Sequence, residues 1–195
     1  MRKHYLNVCG FLCALLFLGT VTTVAYAEVK ENLRYSYYSF QAGEEGSSLR
    51  QRVIQASPFA VLPSRNNKIP VGVTKSQLSY RCSFKKSYSG TCSVSTCEVL
   101  LDLEVVLPKM IGGTDEQRAQ FDAFLSPLED HEMQHVSIAR EYAIQMEDYL
   151  NTVLEAADCD TLKDDIDITA KEIAAASKLA QQSFDDQEDH GIELE

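Results

Sequence analysis

The chain has 195 residues, of which 18 are basic and 29 acidic, and its net charge is −11. A charge this negative argues against nucleic acid or an anionic membrane surface as a partner. The length is sufficient for one domain with a hydrophobic core.

The N-terminus has the pattern of a secretory signal peptide. Arg2 and Lys3 precede an apolar run over residues 8–24, and residues 25–27 form a small-x-small cleavage site. The run is short for a membrane span, and no apolar run of that length follows it. We therefore expect residues 1–27 to be removed on export. The mature chain, residues 28–195, is then a single domain without a membrane span, periplasmic or secreted.

Removal of the signal peptide changes three counts. Sixteen basic residues then face 29 acidic ones, which makes the mature net charge −13. Three histidines remain, namely His131, His135 and His190. The cysteines that remain are Cys82, Cys92, Cys97 and Cys159. An even number in an exported protein indicates two disulfides rather than thiolate metal ligands.

Residues 131–135 carry the pattern HExxH. In a helix this spacing puts His131 and His135 on one face, where neutral imidazoles suit Zn²⁺. Glu132 is then placed to take a proton from a water that the metal activates. The other interpretation is a solvated run of polar residues on an exposed helix, since so short a pattern also arises by chance.

Two alternating apolar segments predict an antiparallel hairpin. They cover residues 78–84 and 97–107, and a two-residue turn at Ser89-Gly90 would pair residues whose numbers sum to 179. Both apolar sets then share one face, and Cys82 lies opposite Cys97. We therefore expect Cys82–Cys97 and, by elimination, Cys92–Cys159. Residues 33–40 predict a further strand, and residues after Ser47 or Ser48 a short helix.

Helical patterns dominate the second half of the chain. Residues 114–117 form a capping box that begins a helix to about residue 125, and Ser126-Pro127 indicates a second start for the metal-binding helix. After a turn at residues 157–160, a second long helix runs to about residue 187. In an antiparallel hairpin the chain returns to the level of His131 near residues 187–191, which brings His190 to the histidine pair.

Other acidic side chains are candidates for the third ligand. Glu155 is twenty residues beyond His135, about 30 Å along a continuous helix, and is excluded unless the helix breaks. Asp185, Asp186 and Asp189 could bind a metal. All three are better explained as partners that orient a ligand imidazole, with Asp185 and Asp189 as the candidates.

Several features in chain order resemble one bacterial family. They are a tyrosine-rich strand, a short helix, Cys92-x-Val94, a strand ending in Leu107-Pro108, HExxH, and a late Phe184-Asp185 followed by His190-Gly191. The chain resembles the predicted secreted zinc-dependent proteases, a family described as a domain of unknown function. The resemblance implies a zincin-like peptidase with one Zn²⁺, in which His131, His135 and His190 are ligands and Glu132 is the catalytic base.

We therefore expect an α+β fold, in which a small antiparallel sheet packs against a long helical hairpin carrying the HExxH residues. Two functions remain open. The first is a zinc hydrolase acting on a polypeptide, with the strand over residues 99–107 holding an extended substrate by edge pairing. The second is a non-catalytic exported protein that uses zinc, or no metal at all, to hold its helical hairpin together. An open metal position favours the first, and a fourth protein ligand favours the second.

Overall fold

The computed structural model describes residues 27–43, 48–59, 69–153 and 155–188. The predicted signal peptide therefore lies outside the described residues, apart from Ala27. Within them the elements, in chain order, are β1 (Ala27–Gln41), α1 (Leu49–Ala56), β2 (Val73–Lys86), β3 (Cys92–Ile111), α2 (Asp115–Thr152), β4 (Glu155–Ala156) and α3 (Cys159–Gln187). The α+β class is confirmed.

The sheet is mixed, and the prediction of a purely antiparallel sheet is wrong. The strand order is β1-β3-β2, with β1 parallel to β3, β2 antiparallel to β3, and the two-residue β4 paired with the start of β3. The connection between β1 and β2 spans residues 42–72 and contains α1. A connection of this length can carry the chain past the position of β3, whereas a tight turn would have placed β1 beside β2.

Strand β3 lies at the centre of the sheet. Strand β1 pairs with its residues 97–111, and β2 pairs with its residues 92–106. Both edges of the segment 99–107 are therefore occupied almost throughout. The prediction that this segment holds a substrate by edge pairing is wrong.

The register of the β2–β3 hairpin is confirmed. Cys82 pairs with Cys97, Tyr80 with Val99, and Leu78 with Leu101. The disulfides are Cys82–Cys97 and Cys92–Cys159, the pairing predicted from that register.

The turn of this hairpin differs from the prediction. Ser87 N–H donates to the Thr91 carbonyl at 2.8 Å, so the loop has three residues and ends at Gly90, whose φ is 96°. A residue with positive φ at this position is typical of three-residue hairpin loops. A bulge at Ser95 then shifts the pairing by one residue, and this shift restores the predicted register beyond it.

Helix α2 runs for 38 residues without a break. Its N-terminus is the predicted capping box, in which Thr114 and Gln117 exchange hydrogen bonds between side chain and backbone. The second helix start predicted at Ser126 is wrong, because the helix continues through Pro127. Phe124 and Leu128, on either side of the proline, are both buried, and their packing opposes the break that proline favours.

The core lies between the sheet and the helical hairpin of α2 and α3. The residues of β3 that face it are fully buried, and they are Cys97, Val99, Leu101, Leu103, Val105 and Leu107. Helix α2 contributes a stripe that includes Phe121, Leu128, Ala139 and Met146. Helix α1 is capped by Ser48 and buries Leu49 and Val53 in the same core, as predicted. None of the helices in the described ranges is long and apolar enough to cross a membrane.

Candidate metal centre

Helices α2 and α3 form an antiparallel hairpin, and its open end holds the candidate site. Near the turn, the Tyr149 hydroxyl donates to the Asp165 carbonyl at 3.1 Å. At the other end, the Gln181 side chain contacts His135. The last turns of α3 therefore lie beside the HExxH residues of α2, as the hairpin prediction required.

The two histidines of α2 present the same ring atom to one point. His131 Nε2 and His135 Nε2 are 3.1 Å apart, and the two rings are nearly perpendicular. Both side chains are mostly buried. This convergence follows from the i, i+4 spacing on a helix, which places the two side chains one above the other.

Asp185, in the last turn of α3, brings a carboxylate to the same point. Its Oδ1 lies 2.9 Å from His135 Nε2 and 3.6 Å from His131 Nε2. The side chain is 45% exposed, so the cluster formed by His131, His135 and Asp185 is open to solvent on this side. Among the described residues, His131, His135 and Asp185 are the group whose geometry could hold a metal ion, with all ligand atoms within 4.8 Å of one another.

These distances fit a zinc ion. Ligands at about 2.0 to 2.1 Å from a tetrahedral zinc lie roughly 3.3 Å from each other, and the separations of 2.9, 3.1 and 3.6 Å in the cluster bracket that value. Two imidazoles and a carboxylate also form one of the ligand sets found at catalytic zinc sites. The residues present therefore fit the group that the sequence predicted.

Phe184 packs against both histidines. Its ring stacks on His131 with centroids 4.7 Å apart and an angle of 15° between the planes. Its contact with His135 is edge-on, at 5.0 Å. The aromatic ring therefore restricts both imidazoles and shields one side of the cluster from water.

Glu132 lies on the side of α2 that faces the sheet, and it is only 3% exposed. Thr74, at the start of β2, donates its hydroxyl to Glu132 Oε2 at 2.7 Å and lies 3.0 Å from the Glu132 carbonyl. Gly72 is close to the other carboxylate oxygen. A Cβ at residue 72 would lie 2.8 Å from Glu132 Oε1 and 2.9 Å from Leu128 Cδ1, so a glycine leaves this space to the carboxylate.

Burial and neighbouring groups act in opposite directions on two pKa values. Burial raises the pKa of Glu132 above its ordinary value. The Thr74 hydrogen bond and the two histidines lower this pKa, but by less than burial raises it. Burial lowers the pKa of His135, but hydrogen bonds to Asp185 and Gln181 outweigh it and the pKa is raised. Perturbed groups gathered in one place are typical of functional sites.

Two residues of the predicted site lie outside the described residues, namely His190 and Asp189. The structure therefore does not place the predicted third histidine. It does correct the level of the hairpin, because Phe184 and Asp185 lie beside His131, about one helical turn earlier than residues 187–191. Glu155 follows the end of α2 and pairs with Ser93 on β3, so it lies far from the cluster along an unbroken helix.

Sequence reasoning missed Thr74, Gly72 and Gln181. A signal existed for Gln181, because it lies on the buried face of α3 with Ile173 and Ser177. A polar side chain on such a face needs a hydrogen-bond partner. No such signal existed for Thr74 or Gly72. They reach Glu132 only through the packing of β2 against α2.

Comparison with known proteins identifies a family for this chain. No curated protein and no solved structure matches the chain. Residues 35–191 match a family described as bacterial protein of unknown function (DUF922), which covers all of the candidate cluster. Since the match spans most of the chain, the protein belongs to this bacterial family of unknown function, DUF922.

Proposed function

We propose that the protein is an exported zinc-dependent hydrolase that cleaves polypeptides, with Glu132 as general base. The observation that supports this most is the pairing of two features. Two histidine Nε2 atoms lie 3.1 Å apart, and a buried, hydrogen-bonded glutamate follows the first histidine. A site that only held a metal would have no use for a carboxylate buried at this cost.

In this proposal His131, His135 and Asp185 hold the zinc ion, and His190 remains a predicted ligand. Zinc, when bound, lowers the pKa of a water molecule and polarises a substrate carbonyl. Glu132 accepts a proton from the attacking water and passes it to the leaving amine. The Thr74 hydroxyl holds Glu132 Oε2, and the raised pKa of Glu132 makes it a stronger base than an exposed glutamate.

The start of β2 offers a place for an extended substrate. Its outer edge has no strand partner in the described part of the chain, and Thr74 connects this strand directly to Glu132. A peptide paired with this edge would run beside the general base.

One observation favours the second candidate, a non-catalytic zinc protein. Asp185 lies within ligand distance of both histidines. If His190 also bound the ion, four protein ligands would close the site, as in structural zinc centres. The number of protein ligands therefore separates the two functions.

Metal content and hydrolysis, measured on the same preparations, test the proposal. We expect the parent protein to bind about one zinc and to cleave an unfolded protein substrate. Glu132→Gln should keep the zinc and lose activity by roughly 10²-fold or more, the usual scale for a general base. Glu129→Gln makes the same chemical change one helical turn earlier and should keep both properties.

Substitution of the ligands completes the test. His131→Ala and His135→Ala should each lower zinc content, and Asp185→Asn and His190→Ala show which of these two side chains is the third ligand. Full activity in Glu132→Gln would refute the hydrolase mechanism even with zinc present. Zinc binding that weakens in both Asp185→Asn and His190→Ala, without hydrolysis by the parent, would favour the structural function.

A further inference from the structure

Gln181 makes two hydrogen bonds to a single histidine across the helical hairpin. Its side-chain Oε1 contacts His135 Nδ1, and its Nε2 donates to the backbone carbonyl of His135 at 2.9 Å. Both partners are shielded from water, since His135 is buried and Gln181 half-buried. The amide therefore forms hydrogen bonds with both the ring and the backbone of the same residue.

The second bond determines the direction of the first. A backbone carbonyl can only accept a hydrogen bond, so the NH₂ group of Gln181 must face it. The amide oxygen is then left facing His135 Nδ1, and an amide oxygen can only accept. Nδ1 must therefore carry a hydrogen.

A hydrogen on Nδ1 leaves Nε2 as the atom that can bind a metal. A neutral imidazole has one N–H and one lone pair, and the partner of one nitrogen decides the state of the other. His135 Nε2 is the atom that lies 3.1 Å from His131 Nε2 and 2.9 Å from Asp185 Oδ1. Asp185 Oδ1 is a competing acceptor beside Nε2, but its side chain is 45% exposed and can turn to water, whereas the Gln181 amide is held by its second bond. The hydrogen therefore stays on Nδ1, and the lone pair of Nε2 faces the cluster.

We propose that Gln181 is a positioning residue, which fixes the tautomer and the ring orientation of His135 so that Nε2 faces the metal. The part of this inference that concerns zinc rests on the proposed function, whereas the part that concerns the tautomer does not. Partners of this kind around a metal ligand commonly change metal affinity by about 10- to 100-fold.

The tautomer can be measured without metal. In protein labelled with ¹⁵N histidine, long-range ¹H–¹⁵N spectra at alkaline pH, where the ring is neutral, show which nitrogen of His135 carries the hydrogen. The parent should have it on Nδ1. In Gln181→Leu this nitrogen loses its acceptor, while Asp185 Oδ1 remains beside Nε2, so the hydrogen should move to Nε2.

Zinc affinity provides the second readout, by competition with a chromogenic chelator. Gln181→Leu should bind zinc roughly 10- to 100-fold more weakly than the parent. Gln181→Glu keeps an acceptor for Nδ1 and should restore both the tautomer and most of the affinity. Gln145→Leu makes the same change at an exposed position of α2, where the amide reaches Glu141, and should leave both unchanged.

The outcomes separate the two proposals. An Nε2–H tautomer in the parent, or an unchanged tautomer in Gln181→Leu, overturns the role of Gln181 whether or not zinc binds. A changed tautomer with unchanged zinc affinity overturns its role toward the metal. A parent that binds no zinc overturns the proposed function, and the spectra still decide the tautomer.

Discussion

Burial of the Glu132 carboxylate costs free energy and also changes its pKa. A carboxylate that is 3% exposed loses most of its hydration, and this loss raises its pKa. The Thr74 hydroxyl donates one hydrogen bond to the carboxylate, and the two histidines lower the pKa of Glu132 by electrostatic attraction. The balance leaves an acid that holds its proton more tightly than usual, which suits the role of general base proposed for Glu132.

Replacement of Thr74 tests this balance. A general base acts in its ionised form, so activity is lost as the pH falls through its pKa. The Thr74 bond lowers the pKa of Glu132, and Thr74→Val should therefore raise it further and move the acidic limb of kcat/KM to higher pH. At neutral pH we expect roughly tenfold lower activity, because the carboxylate also loses the hydrogen bond that holds it in position, and this is the scale of one hydrogen bond to a charged group.

Thr74→Ser is the matched control for this change. It keeps the hydroxyl and loses only a methyl group, so its pH profile should coincide with that of the parent. If the acidic limb of Thr74→Val also stays in place, Thr74 does not tune the base. Unfolding curves of both variants, measured alongside, identify any loss of fold.

At the scale of elements, the hairpin of β2 and β3 was predictable and its turn was not. Alternation of apolar residues determines which face each side chain takes, and a slip of one residue would expose the whole set. This constraint acts beyond the turn, so it determined the pairs Cys82–Cys97 and Leu78–Leu101. The loop of three residues and the bulge at Ser95 cancel each other, and nothing in the alternation distinguishes this pair of features from a simple two-residue turn.

Helix α2 was predictable at its start and not in its middle. The capping box at Thr114 is a local signal and needs no tertiary structure. Pro127 disfavours a helix locally, but the helix is held there by packing that depends on the sheet. The residues of α3 that lie beside His131 come about one helical turn earlier than predicted. The sequence does not specify how many residues form the connection between the two helices.

The two disulfides should differ in their effect on stability. Cys82–Cys97 has a sequence separation of 15 residues, and Cys92–Cys159 has one of 67. Closure entropy gives about 3 kcal/mol for the shorter loop and about 4 kcal/mol for the longer one, because the unfolded chain loses more freedom in a longer loop. Paired Cys→Ala substitutions, followed by denaturant unfolding, measure both values.

A peptide map under non-reducing conditions checks the connectivity first. It should show Cys82 joined to Cys97 and Cys92 joined to Cys159. A Cys82–Cys92 link in the purified protein would contradict the register on which the pairing depends. A stability loss that is larger for the short loop would contradict the entropic order.

At the scale of the whole molecule, the HExxH residues could be recognised because their spacing is local. His131, Glu132 and His135 need only a helix to come together. Asp185 and Gln181 reach the histidines only through the helical hairpin. Helical periodicity predicted this hairpin, but not which residues of α3 lie beside His131. Thr74 and Gly72 needed the sheet order β1-β3-β2, and no pattern in the sequence predicts that β1 lies on the far side of β3.

The predicted cleavage of a signal peptide can be tested at the start of β1. Ala27 is buried, and its backbone N–H donates to Asn151 Oδ1 at 2.6 Å. Cleavage after Ala27 would remove this bond and leave β1 to begin at Glu28. We expect an intact mass for the exported protein that begins at Glu28, and a mass that retains residues 1–27 would contradict the signal peptide.

Within the described residues, helix α3 is bonded covalently to the sheet at its first residue only. Cys159, the first residue of α3, is bonded to Cys92 in the sheet, whereas the last turns of α3 are held by weak contacts around His135. Local opening should therefore begin at the free end and travel toward the disulfide. A ligand that binds only the closed form lowers the population of the open one. Zinc, bound as proposed, should accordingly slow amide hydrogen exchange in residues 177–187 far more than in residues 159–166. On this proposal, metal supply would determine how long the acidic end of α3 stays open to proteases.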